Sequence, residues 1–160
     1  MILGMVAPLG FVLSAPITLA LRTLPIGRTS DERGIRGNLI ALLHSKYFQV
    51  VSNPIVALAI FDGSLFALYM TPLFGDLMQS HFGHLFMSLH FLLAGTLFFH
   101  VIVGIDPSPK RVPYIVRIII LFAAMSIHAF FSIALMSATT LLDGGYFASL
   151  DRPWSTDLLA

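Results

Sequence analysis

The sequence predicts an all-α fold: a polytopic membrane helix bundle of about four transmembrane helices, with both ends of the chain outside. Of its 160 residues, 57% are hydrophobic and only 11% are charged, whereas about 25% are charged in ordinary soluble domains. The mean hydropathy is +0.89. Lys and Arg collect on alternate connections between long apolar segments, which is typical of a chain that crosses a bilayer several times.

The composition also excludes several classes of function. The formal net charge of +1 supplies no basic surface for nucleic acid. The chain contains no cysteine, so disulfides, thiolate catalysis and cysteine-based metal sites are excluded. No glycine-rich phosphate loop, Ser/His/Asp arrangement or pair of catalytic carboxylates is found, so we expect no enzyme.

Four segments are apolar enough to span a bilayer, which takes about 20 residues. They are residues 1–21, 54–72, 82–103 and 113–138. Pro8 and Pro16 are expected to kink the first span. Residues 37–51 are semi-apolar and too short to span, so they are predicted to form a helix at the cytoplasmic interface. A single membrane domain covers 1–160, and its start inside an apolar run predicts that it is part of a longer multi-span protein.

The basic residues set the predicted orientation. Eight of the nine lie between spans one and two, between spans three and four, or just inside span four: Arg22, Arg28, Arg33, Arg36, Lys46, Lys110, Arg111 and Arg117. The positive-inside rule places that side in the cytoplasm. Arg117 is expected to extend its side chain to the lipid headgroups.

The histidines and methionines are the candidate functional side chains. Four of six histidines and six of seven methionines fall in the predicted outer half of the membrane. The densest run is Met78, His81, His84, Met87 and His90, at steps of three residues. Each step turns a helix by about 300°, so only neighbours such as His84 with Met87, or Met87 with His90, share a face. His128 lies on the fourth span at a depth similar to that of His90.

Imidazole and thioether ligands together suit copper, especially Cu(I). The preferred metal ligands are therefore His84, Met87, His90 and His128, with His81 and Met70 as secondary candidates. The competing interpretation is structural, because methionine also packs as an apolar filler and histidine near a membrane end meets water.

Other functions remain open at this stage. His90 and His128 at matched depth would also suit a haem-b electron-transfer protein, in which two histidines ligate one haem. A structural subunit of a respiratory complex would bind nothing. A copper permease would need a polar path through Asp62 and His100.

Asp62 is a costly residue inside a membrane span. It is either a proton relay or ion ligand, or a neutral acid that is bonded to Ser64 or to a neighbouring helix. His100 is its expected partner.

Several stretches resemble the CtaG-type cytochrome c oxidase assembly family. They are the first nine residues with Ser14-Ala15-Pro16, the stretch from Asn53-Pro54 to Tyr69-Met70-Thr71-Pro72, and the segment following His90 with Gly104-Ile105-Asp106-Pro107. The stretch from Arg117 to Met136, with His128 inside Ile-His-Ala-Phe-Phe, matches as well. The resemblance covers nearly the whole chain.

The resemblance implies a non-enzymatic, multi-pass protein of the bacterial plasma membrane. Members of the family are implicated in copper delivery to, or maturation of, a haem–copper oxidase. It therefore implies Cu(I) as the cofactor, with the lipid bilayer, cytochrome c oxidase subunits and a copper-transport domain as partners. Members usually have about seven spans, so the resemblance also implies a longer protein.

Overall fold

The computed structural model describes residues 2–25, 34–108 and 111–137, and every regular element in these ranges is helical. A π-helical turn, Ile2–Val6, leads into eight α-helices. They are α1 (Ala7–Leu13), α2 (Pro16–Thr23), α3 (Ile35–Leu43), α4 (Lys46–Val51), α5 (Pro54–Tyr69), α6 (Leu73–Met78), α7 (His81–Val103) and α8 (Tyr114–Met136). The predicted all-α class is confirmed. The C-terminal end, predicted to be outside, lies beyond the described residues.

Three helical segments are long and apolar enough to cross a membrane. They are Gly4–Thr23, α7 and α8. Many large apolar side chains on α7 and α8 are exposed, including Phe82, Phe122 and Phe130, as expected of surfaces that face lipid. The helix in the second predicted span, residues 54–72, is shorter than expected, because α5 ends at Tyr69. Its 16 residues rise about 24 Å, against a hydrocarbon core of about 30 Å. The count of four spans stays a prediction.

The first span is divided into two helices. Ala15 adopts a left-handed conformation with a φ of 52°, which L-residues other than glycine seldom adopt. The following residue, Pro16, disfavours the α conformation at position 15, so α1 ends at Leu13 and α2 begins at Pro16. The predicted kink at Pro16 is thus a full break. Pro8 lies in the first turn of α1, where a missing backbone N–H is tolerated.

A carboxylate that is distant in the sequence accepts hydrogen bonds from the first turn of α2. Asp106 is buried, and its two oxygens accept hydrogen bonds from Thr18 N (2.8 Å), Thr18 Oγ1 (2.7 Å) and Ile17 N (3.2 Å). Ala15 has no side chain that could cap these groups. Asp106 therefore acts as the N-cap of α2 from a position 88 residues away from Thr18, and its negative charge faces the positive end of the helix.

The predicted interfacial segment contains two helices rather than one. α3 ends at Leu43 and α4 begins at Lys46. Ser45 starts the second helix, because its Oγ accepts a hydrogen bond from Phe48 N at 3.1 Å, the geometry of an N-cap.

The turn between α7 and α8 is fixed by Arg117. Gly104 ends α7 with a φ of 64°, and a Cβ at this position would collide with the Arg117 guanidinium. Arg117 Nε donates to the Val112 carbonyl oxygen at 2.8 Å and Nη1 donates to the Val103 carbonyl oxygen at 3.2 Å. Arg117 thus binds the carbonyl end of α7, which attracts a cation, rather than extending to the headgroups as expected.

α7 is the central helix of the bundle and contacts α1, α5, α6, α8 and the π-helical turn. Gly95 allows the closest approach, because a Cβ there would collide with the Gly4 carbonyl oxygen and the Pro8 ring. The rings of Phe61 and Phe98 stack at 4.7 Å on the α5 side. The core therefore lies around the middle of α7.

Replacing Asp106 by Ala is expected to destabilise the fold, since three hydrogen bonds to a buried carboxylate and the cap of α2 are lost together. We expect a loss of about 2 kcal/mol in the free energy of unfolding, equivalent to about 4–8 °C in the melting temperature. Circular dichroism of the protein in a mild detergent measures this shift. Asp76→Ala, at an exposed aspartate of α6, is the matched control. An equal shift in both variants would contradict the capping role.

Candidate functional site

A cavity of about 540 Å³ lies at one end of the bundle, between the π-helical turn, α5, α6, α7 and α8. Two histidines and three methionines line it: His84, His128, Met5, Met78 and Met87. Aromatic side chains form half of the remaining lining: Phe61, Tyr69, Phe74, Phe91 and Phe131. The cavity is therefore mainly apolar, with a small set of imidazole, thioether and hydroxyl groups that can interact with a ligand.

His128 lies beside a buried carboxyl group. Its Nδ1 lies 2.6 Å from Asp62 Oδ1 on α5 and 3.2 Å from the Ala124 carbonyl oxygen. The Asp62 side chain is 3% exposed, and no hydrogen bond of good geometry reaches either of its oxygens from the described residues. The Asp62 carboxyl group is therefore a close neighbour of the imidazole, while the Nδ1 hydrogen is better aligned with the Ala124 carbonyl oxygen.

This arrangement determines which nitrogen of His128 can bind a ligand. Both neighbours of Nδ1 are hydrogen-bond acceptors, so the neutral imidazole carries its proton on Nδ1. The lone pair then lies on Nε2, for which the described residues offer no hydrogen-bond partner. Carboxylates are common neighbours of histidines that ligate a metal. The Phe61 ring, stacked at 5.3 Å, limits the orientation of the imidazole further.

His84 is also restricted to one tautomer. Its Nε2 lies 3.0 Å from the Met78 carbonyl oxygen, an atom that only accepts hydrogen bonds, so Nε2 carries the proton and Nδ1 keeps the lone pair. The contact depends on the tight turn between α6 and α7. Gly83 permits that turn, because a Cβ at this position would collide with the Leu77 carbonyl oxygen.

The three thioethers come from three different elements. Met87 on α7 is buried against Leu68 and Phe74. Met78 belongs to α6, and Met5 belongs to the π-helical turn. The described residues contain no group of three His, Cys, Asp or Glu side chains placed to hold a metal ion. Beside the two imidazoles, the cavity offers thioether sulfur, a type of ligand that suits a soft ion such as Cu(I).

The structure brings together three of the six predicted ligands and separates the other three. His84, Met87 and His128 line the cavity. His90 does not line the cavity. The centroid of its ring lies 6.1 Å from that of Phe86 and 5.5 Å from that of Phe91. His81 and Met70 are exposed, at the start of α7 and the end of α5. The binding of a metal by any of these residues stays a prediction.

Two features of the site were not expected from the sequence. Asp62 contacts His128, not His100 or Ser64, and the Ser64 hydroxyl donates to the Phe61 carbonyl oxygen instead. His100 is buried near the other end of α7, with its ring edge-on to Phe48. Met5 and Met78 also join the cavity. Their predicted depth near the outer face is the property that could have identified them.

These positions bear on the alternative functions. Axial ligation of one haem by His90 and His128 needs both rings to face a common space, and only His128 lines this cavity. A polar path for a permease would join Asp62 to His100. Instead, Asp62 is paired with His128, and the nearest described aromatic neighbour of His100 is Phe48. Neither alternative gains support from the geometry.

The fold and the cavity define a helical membrane protein with a donor-lined cavity at one end of its bundle. The chain belongs to the cytochrome c oxidase caa3 assembly factor family, whose sequence profile matches residues 1–160. This finding confirms the resemblance described above.

The chain is similar to longer proteins of mycobacteria. It is 44% identical over 160 residues to uncharacterized proteins of Mycobacterium bovis and Mycobacterium tuberculosis, covering 100% of this chain and 24% of each relative. An uncharacterized protein of Mycobacterium leprae is 44% identical over 154 residues, covering 96% of this chain and 23% of that relative. The chain thus spans about a quarter of the length of these relatives. No solved structure matches it significantly.

The contact between Asp62 and His128 is testable by a double-mutant cycle. His128→Ala should lower the free energy of unfolding by about 3 kcal/mol, because it leaves a buried carboxylate without its partner. Adding Asp62→Asn removes that charge, so the double variant should be more stable than the sum of the single effects by about 1 kcal/mol or more. Circular dichroism, recorded while each variant unfolds in detergent, measures the free energy of unfolding of the single and double variants.

His90→Ala combined with Asp62→Asn is the matched control for this cycle. His90 is a half-buried histidine of the same bundle and is not in contact with Asp62. The effects of this pair should be additive. Additivity in the Asp62 and His128 pair as well would contradict the coupling.

Proposed function

We propose that the chain is a non-enzymatic assembly factor of the bacterial plasma membrane that handles Cu(I) for a cytochrome c oxidase. Membership of an oxidase assembly factor family supports the assembly role. The observation that carries the copper proposal is the convergence of two imidazoles and three thioethers on one cavity. Copper is in this view the cargo of the protein and passes through the site.

The donor set suits a transferable ion. Thioethers and imidazoles are neutral ligands that favour soft Cu(I), and methionine side chains are flexible enough to rearrange around it. His84 Nδ1 and His128 Nε2 keep their lone pairs, since hydrogen-bond acceptors occupy the other nitrogens. The ion would move to the oxidase by exchange of one weak ligand at a time.

In this proposal, Asp62 acts as a positioning residue for His128. Neutral ligands leave the charge of Cu(I) uncompensated in a medium of low dielectric constant. The buried Asp62 carboxylate, 2.6 Å from His128 Nδ1, offsets that charge through the imidazole and keeps Nε2 available. Carboxylates that contact a ligating histidine commonly raise metal affinity in this way.

The predicted orientation places the cavity on the outer side of the membrane. Met5, Met78 and His84 belong to the segments predicted to lie near the outer face, opposite the basic connections. An outward-facing site would present copper to cytochrome c oxidase subunits from that side of the bilayer. A copper-transport domain, the further partner that the resemblance implies, would supply the ion.

The proposal predicts which side chains affect copper affinity. Cu(I) binding should weaken by about tenfold or more in each of the variants that remove a donor from the cavity: His84→Ala, His128→Ala and Met87→Leu. Asp62→Asn should weaken it by about 10- to 100-fold. Competition with a colorimetric Cu(I) chelator, under anaerobic reducing conditions, measures the affinity of the detergent-solubilised chain. Circular dichroism confirms that each variant remains folded.

His90→Ala and His81→Ala are the matched controls, since neither residue lines the cavity. Both should bind Cu(I) as tightly as the unmodified chain. Loss of affinity in His90→Ala but not in His84→Ala would overturn the cavity assignment. If the unmodified chain binds no Cu(I), or if cells carrying His128→Ala assemble a fully metallated oxidase, the chain has a structural function instead.

A further inference from the structure

We propose that a second cavity, at the opposite end of the bundle from the donor-lined one, binds the phosphate group of an anionic phospholipid headgroup. This cavity of about 560 Å³ lies where α4 meets α5 and where α8 begins. Its polar lining is made of His44, Gln49, Ser52, Asn53 and Arg111. The inference is independent of copper handling.

The lining is rich in hydrogen-bond donors and contains no carboxylate. Arg111 contributes a guanidinium with five N–H donors. Asn53 Oδ1 accepts from Ile55 N at 3.0 Å, so the Asn53 amide hydrogens remain as donors. Gln49 Nε2 donates one hydrogen to the His44 carbonyl oxygen at 3.2 Å and keeps the other. Such a set of groups favours an anion.

Ser52 is the strongest indication that a ligand belongs here. It is 7% exposed, and its buried hydroxyl has no hydrogen-bond partner among the described residues, although it lines the cavity. Leaving a buried hydroxyl unpaired costs free energy, and a rotation of the Ser52 side chain toward the cavity would let a phosphate oxygen satisfy it.

The charge and position of the cavity favour a lipid as the source of the phosphate. One arginine matches the single negative charge of a phosphodiester better than the double charge of a phosphate dianion. The apolar remainder of the wall is Pro54, Val112, Pro113 and Val116. Ile55 and Ile115, beside this wall, are largely exposed and give acyl chains an apolar surface to follow. Basic pockets between membrane helices on the cytoplasmic side commonly bind anionic lipids.

Native mass spectrometry of the full chain in detergent tests the proposal, with phosphatidylglycerol, phosphatidylcholine and inorganic phosphate as probes. We expect one saturable phosphatidylglycerol site that zwitterionic phosphatidylcholine occupies far more weakly. Arg111→Gln should weaken it by about tenfold or more and Ser52→Ala by about threefold, as expected for a charged and a neutral hydrogen bond. Arg22→Gln removes an exposed arginine of α2 and should leave the affinity unchanged.

Each remaining outcome is decisive. If inorganic phosphate binds in an Arg111-dependent way and displaces the lipid, the phosphate site is supported and free phosphate is its source. If Arg111→Gln and Arg22→Gln weaken binding equally, the lipid is attracted only by the general surface charge and the proposal is overturned. Equal binding of phosphatidylcholine, insensitive to Arg111→Gln and Ser52→Ala, would also overturn it. Circular dichroism of each variant shows whether the fold is retained.

Discussion

α7 meets the N-terminal helix where Gly95 lies against the Gly4 carbonyl oxygen and the Pro8 ring. Backbones approach this closely in a membrane only where a side chain is absent, since dispersion contacts replace the hydrophobic driving force between helices in lipid. The approach holds the π-helical turn beside α7 and brings Met5 to the cavity. Because α7 also contacts α5, α6 and α8, the position of every other wall of the cavity depends on the same helix.

The cavity combines an apolar wall with polar groups whose protons have defined places. At His84 and His128, a carbonyl or carboxylate oxygen lies next to one ring nitrogen, so the other nitrogen keeps its lone pair. Neither imidazole needs to change tautomer to accept a ligand. At the opposite end of the bundle, near the C-terminus of α7, the backbone hydrogen bonds and helix caps are completed by Gly104, Asp106 and Arg117. The bundle therefore separates a structural polar network from the donor-lined cavity along the length of α7.

Hydropathy alone predicted α7 and α8 nearly to the residue, because both are mainly apolar helices of 23 residues. Within the predicted span 54–72 the helix ends at Tyr69, because hydropathy does not detect a helix end before Thr71 and Pro72. The break at Pro16 followed from proline geometry. The capping by Asp106 could not be predicted, because it joins segments that are distant in the chain.

Local spacing predicted part of the candidate site. His84 and Met87 are three residues apart and line the same cavity, whereas His90 lies about 120° around the helix axis from His84 and meets other rings. The contact of Asp62 with His128 depends on which helices are neighbours, and a single sequence contains no information on that order. Depth in the membrane suggested the set of residues, but only packing selects the members that meet.

The capping of α2 by Asp106 also has a consequence for the order of events during synthesis. The backbone N–H groups of Ile17 and Thr18 receive their acceptor only from a residue that lies beyond the end of α7. The N-terminal segment therefore reaches the membrane before its cap exists. The hydrogen bonds at the start of α2 are completed by a carboxylate that is translated 88 residues later than Thr18.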